Sequence, residues 1–275
     1  MPQWAAFVGL TGFLLTVLLA LSRLSQRSLS GDAGGLTART DTLERVQPTD
    51  STYPRFESTR TARQRQHIEG QLSRDGLSTG ALLANVALTQ GLFGVLLLGG
   101  AVFFEIPLSA LGVTASALST GLPAIAVGLA AGVGFWVGNE LAAAAADGFG
   151  IGVDESLREL LAPDSAGGWV VLLGVVLPVI AVVEELLFRA AAIGVPVVGL
   201  DAPAWAMVAI SSVAFALGHG AQGRVGVVVT GALGTALGAL FVLTNSLLAV
   251  VVAHYLVNAL ELTVHEGLGV GRLGS

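Results

Sequence analysis

The chain has 275 residues, of which 53% are hydrophobic and only 12% charged, and its mean hydropathy is +0.79. A soluble domain carries about twice that charged fraction, so the composition excludes one and points to an all-helical, polytopic membrane protein. There is no cysteine, which excludes disulfides, thiolate nucleophiles, iron–sulfur clusters and Cys-based zinc; the net charge of −6 argues against a nucleic-acid partner.

Residues 1–22 hold an apolar run from Trp4 to Leu21, about long enough to span a bilayer. No basic segment precedes it and no clear small-residue cleavage site follows, so it reads as a transmembrane anchor. Residues 23–79 are rich in Arg, Ser, Thr and Gln and hold nine of the thirteen Arg. They read as a solvated linker, disordered apart from a short helix near Arg60–Leu72. Concentrated Arg beside a span places this loop in the cytoplasm and the N-terminus outside. All basic residues are Arg, none Lys. Such an acidic, Ala/Gly/Val-rich composition fits a GC-rich prokaryotic genome and a high-salt cytoplasm.

Residues 80–262 form the expected helical membrane core. Gly80 to Phe104 is a second span, ended by Glu105-Ile106-Pro107, since a proline disfavours helix at the preceding residue. Ala117 to Gly138 is a third, whose Gly and Ala favour close helix packing. Residues 154–161 suggest a short interfacial helix. The run from Trp169 to about Val198 is a fourth span, with Pro178 positioned to kink or break it. Pro203–His219, Val225–Thr244 and Asn245–Leu262 complete about seven spans, and residues 263–275 remain as a polar tail.

The fourth span carries Glu184, Glu185 and Arg189 amid apolar residues. Intramembrane charge is costly, roughly 2.5–3.5 kcal/mol for a central Asp, Lys or Arg, and so usually has partners and a purpose. Glu185 and Arg189 are four apart and share a helix face, which makes them a supporting ion pair. Glu184 is rotated by about 100° from Glu185 and is the chemically available carboxylate. Of four His, His67 lies in the linker and His265 in the tail, whereas His219 and His254 interrupt apolar runs. His254 and Asn258 share a face, and both side chains can donate hydrogen bonds to a developing oxyanion.

A carboxylate with a His can activate water, so this set is suited to hydrolysing a peptide bond within the membrane. The same residue types could ligate zinc, although the His-Glu-x-x-His pattern is absent. They could also form a proton path, although the repeats common in transporters are not evident. A scaffold that keeps the polar groups but binds without cleaving is the remaining alternative.

Glu184-Glu185-x-x-x-Arg189, Phe215-x-x-x-His219 and His254-x-x-x-Asn258, in that order in successive apolar segments, resemble the CPBP intramembrane proteases. That family includes the CAAX prenyl endopeptidases and many prokaryotic Abi proteins, some of them bacteriocin-immunity proteins. The resemblance covers about residues 169–262. It implies a glutamate protease of the cell membrane with Glu184 as base and His219 orienting the water. His254 and Asn258 would stabilise the oxyanion, and Glu185 and Arg189 would support. It implies no cofactor and no metal, and a substrate that is a membrane-embedded or membrane-associated protein. Ala190 stands where many members have Gly.

One expectation conflicts with this set. Glu184 lies sixteen residues beyond Gly168, about 24 Å along a helix. Strict alternation of spans then separates it in depth from His219, unless the helix breaks near Pro178 or a span upstream is misplaced.

Overall fold

The computed structural model describes residues 1–45, 79–148 and 161–270. Among these residues the structure is helical and contains no strand. Helix α1 runs Trp4–Arg45 and α2 runs Thr79–Phe103. A short α3, Ala117–Thr120, leads into α4, Leu122–Gly148. Helix α5 spans Ala166–Leu200, α6 Ala204–Gly218, α7 Gly223–Thr244 and α8 Leu247–Gly267. Six of these are long and apolar enough to cross a membrane.

The fifteen-residue α6 is shorter than a standard span, yet it takes the chain from one end of the bundle to the other. A Cβ on Gly199, just before the α5–α6 turn, would strike the Trp4 ring at the start of α1. At the far end of α6, Ser22 Oγ donates to the Gly218 carbonyl at 2.7 Å. The expected span Pro203–His219 is thus this shorter helix, which falls outside the six of spanning length among the described residues.

End-to-end contacts sort the remaining turns. Gln3 N donates to Phe104 O, Leu247 N donates to Gly112 O, and Ser246 Oγ donates to Ser119 O. These segments share the face where α1 begins. Helices α4 and α8 both start there and run parallel. Cβ atoms on Gly128 and Gly132 would lie 2.6 and 3.0 Å from the Ala249 and Ala253 carbonyls respectively, so small residues are what let the two backbones touch. This is the close packing expected of the third span.

Helix α1 continues to Arg45, past the anchor boundary expected at residue 22. No proline lies between Gln3 and Pro48 to stop it. The rest of the expected linker, including the helix near Arg60–Leu72, and the interfacial segment 154–160 lie outside the described residues.

Pro178 neither breaks nor ends α5. A π-helical turn at Leu172–Val176 immediately precedes it, and this wider turn takes up the missing N–H and the ring. A second π stretch, Leu186–Gly194, follows Glu185. The core gathers around this helix: Leu187, Phe188 and Ala191 of α5 pack with Phe7 and Leu14 of α1, Phe93 and Leu97 of α2, and Phe215 of α6.

Candidate functional site

Glu184 and Glu185 close the α-helical part of α5, just before its second π stretch. The two side chains diverge as their spacing predicts. Arg189 Nη1 donates to Glu185 Oε1 at 2.9 Å, with both side chains almost wholly buried, at 1% and 0% exposure. The guanidinium also donates through Nη2 to the Gly234 carbonyl of α7 at 3.1 Å and lies 4.6 Å from the centre of the Phe215 ring, in cation–π range. The expected pair is thus a four-part knot of α5, α6 and α7.

Glu185 Oε1 also accepts from His254 Nδ1 of α8 at 2.6 Å. A carboxylate has no hydrogen to give, so Nδ1 of the imidazole carries the proton. In the neutral tautomer this leaves the His254 Nε2 lone pair pointing onward, 3.8 Å from Glu184 Oε2. His219, at the C-terminal cap of α6, is fixed the same way. Its Nδ1 donates to the Phe215 carbonyl at 2.8 Å, and its Nε2 lies 3.9 Å from Glu184 Oε2. The Phe215 ring packs against both imidazoles, with centroid separations of 4.5 Å to His219 and 5.9 Å to His254.

Glu184 Oε2 is therefore a buried acceptor with no hydrogen-bond partner and two imidazole Nε2 atoms converging on it. Its other oxygen, Oε1, accepts from Gln90 Nε2 of α2 at 3.2 Å. Glu184 and His219 open onto a cavity of about 190 Å³ walled also by Leu18 and Ser22 of α1 and Gln90 and Phe93 of α2.

The depth conflict resolves without a break in α5. Glu184 lies seventeen residues before Asp201 and His219 eighteen residues after it. Counted from that turn, both sit at comparable positions along the two arms of a helical hairpin. Counting from Gly168 misled because the 35-residue helix, about 50 Å long, exceeds the roughly 30 Å apolar thickness of a bilayer.

Five of the six expected residues are joined: Glu184, Glu185, Arg189, His219 and His254. Asn258 is half-buried one turn beyond His254, and among the described residues it makes no hydrogen bond to the other five. Sequence reasoning missed Gln90, although an amide within the apolar run of α2 is itself a signal. It also missed the Gly234 carbonyl, which no side-chain pattern reveals. His265, assigned to the polar tail, is instead buried on a π-helical extension of α8, Thr263–Gly267.

No curated protein and no solved structure matches the chain. A family model does match, over the part of the chain that carries all three motifs. Residues 166–260 match the family of type II CAAX prenyl endopeptidases described as Rce1-like, in agreement with the family that the motifs resemble.

Proposed function

We propose that the protein is a glutamate-dependent intramembrane endopeptidase in which Glu184 is the general base. One observation carries this reading: Glu184 Oε2 is buried without a hydrogen bond and faces two imidazole Nε2 atoms at 3.8 and 3.9 Å. A water held among these three atoms has one carboxylate and two ring nitrogens within hydrogen-bonding reach.

In the reaction so written, Glu184 takes one proton from the water while the His219 lone pair accepts the other in a hydrogen bond and aims the oxygen. The water oxygen bonds to the substrate carbonyl carbon. The oxyanion that forms is met by His254, when Nε2 is also protonated, and by Asn258 Nδ2. Glu184 then gives its proton to the amide nitrogen as the C–N bond breaks, and the two fragments leave. Glu185, held by Arg189, favours the proton on His254 Nδ1 and so fixes the direction of that ring. Gln90, by holding Glu184 Oε1, leaves Oε2 as the reactive oxygen.

The substrate is a membrane-associated protein or peptide that reaches the cavity beside α1 and α2. The matched family's name makes a farnesylated peptide with a C-terminal CAAX sequence the first to try. The test is cleavage of that peptide, and of its unprenylated form, by full-length protein in detergent micelles in H₂¹⁸O. Wild type is expected to place one ¹⁸O in each new carboxylate, and Glu184→Gln to lose activity by at least about a hundredfold. Equal turnover by both proteins would remove Glu184 as the base.

A further inference from the structure

A second polar cluster lies further along α4 and α8. Glu140 of α4 is buried, and so is His265 in the π-helical extension of α8. Glu261 stands one turn before His265, with its side chain 16% exposed. His265 Nε2 is 2.9 Å from Glu140 Oε1 and 3.9 Å from Glu261 Oε2. One ligand atom from each residue lies within 4.8 Å of the others. The cluster is separate from the Glu184 centre, since His265 is eleven residues beyond His254 on the same helix, roughly 16 Å by helical rise.

The hydrogen bonding around His265 is informative. Its Nδ1 is 2.8 Å from the Val270 carbonyl, which can only accept, so Nδ1 bears the hydrogen. Nε2 of the neutral ring is then a lone pair, and it faces a carboxylate that also only accepts. Two acceptors 2.9 Å apart require a positive charge between or beside them, either a proton or a metal ion.

The arrangement fits the metal. A ring held by Nδ1–H to a backbone carbonyl, with Nε2 directed at carboxylates, is the orientation that outer-shell contacts give to metal-binding histidines. Ligands about 2.1 Å from a tetrahedral ion stand about 3.4 Å apart, in the range seen here. A nitrogen ligand beside carboxylates suits zinc or manganese better than magnesium or calcium.

We propose that Glu140, Glu261 and His265 bind one divalent ion of the zinc or manganese class, which pins the C-terminal end of α8 to α4. The site is structural and independent of the proteolytic reading. Asn139, whose Nδ2 lies 3.5 Å from Glu261 Oε2, would orient one ligand.

The test uses full-length protein in detergent micelles, stripped with chelator, dialysed and titrated with zinc chloride or manganese chloride alone. Wild type is expected to retain one ion per chain after desalting and to gain roughly 4 °C or more in melting temperature at saturation. Glu140→Gln and His265→Gln are each expected to bind at least about tenfold more weakly and to gain nothing, while Glu184→Ala binds as wild type does. X-ray absorption at the metal edge of wild type reads the ligands even if the variants fail to fold, and is expected to fit a single imidazole with carboxylate oxygens. A fit with two imidazoles would place the ion between His219 and His254 and overturn the proposal. Absence of a retained ion and of any thermal shift would overturn it too, leaving a proton between His265 and Glu140.

Discussion

Arg189 and Glu184 sit five residues apart and respond oppositely to substitution. Arg189 balances Glu185 in a fully buried setting, and removing one member of such a pair strands the other charge. Arg189→Ala is expected to cost about 3–5 kcal/mol, read as a lower midpoint in a denaturation titration of the micellar protein. Glu184 has no guanidinium to strand, so Glu184→Gln should leave that midpoint within about 1 kcal/mol while removing turnover. Gln90 acts through Glu184 Oε1, and Gln90→Ala is expected to lower kcat about tenfold to a hundredfold with a smaller change in KM. A change confined to KM would make Gln90 a substrate contact rather than a positioning residue. At this scale the sequence was most legible where chemistry follows from spacing along one helix, as for Glu185 with Arg189. It was least legible where the partner is a backbone carbonyl, as at Gly234, or comes from a distant helix, as Gln90 does.

Among the elements, the contact of α4 with α8 carries the site's fourth wall, because α8 bears His254 and Asn258. Gly128→Ala would put a methyl 2.6 Å from the Ala249 carbonyl and 2.7 Å from Val252 Cβ. Overpacking of this kind is expected to destabilise by roughly 1–3 kcal/mol and, by shifting α8, to weaken activity as well. Gly134→Ala on the same helix meets nothing within 4 Å and should be neutral in the same thermal assay. Spans were visible as runs of apolar residues, but π turns were not, because a run of apolar residues reads the same whether its turns close i→i+4 or i→i+5. His265 was misread for a related reason: its neighbours are polar, and only the continuation of α8 beyond Leu262 carries it back under Glu140.

For the whole molecule, the end-to-end contacts divide the described turns into two sets, with residues 104–121, 201–203 and 245–246 at the face where α1 begins and residues 161–165 and 219–222 at the other. The Arg-rich segment after α1 leads to the expectation that the second face is cytoplasmic. A chain without cysteine suits single-cysteine mapping. In intact cells, Ser116→Cys should react with a membrane-impermeant maleimide, and Asp164→Cys only after permeabilisation. The reverse pattern would invert the orientation and leave the fold unchanged. The apolar helices were legible from hydropathy, six of them of spanning length among the described residues, but the depth of the site was not, since it depends on how far α5 overshoots the apolar layer.

The hairpin of α5 and α6 behaves as a pair of callipers hinged at Asp201. The jaws, Glu184 and His219, meet because the arms are nearly equal, seventeen and eighteen residues from the hinge. Lengthening one arm by a single residue would advance its jaw by about 1.5 Å and swing it by about 100°, enough to part the carboxylate from the imidazole. The hinge itself, at the membrane surface, carries no such constraint. In chains that share this hairpin, insertions should therefore gather at the hinge or occur in matched pairs, one in each arm.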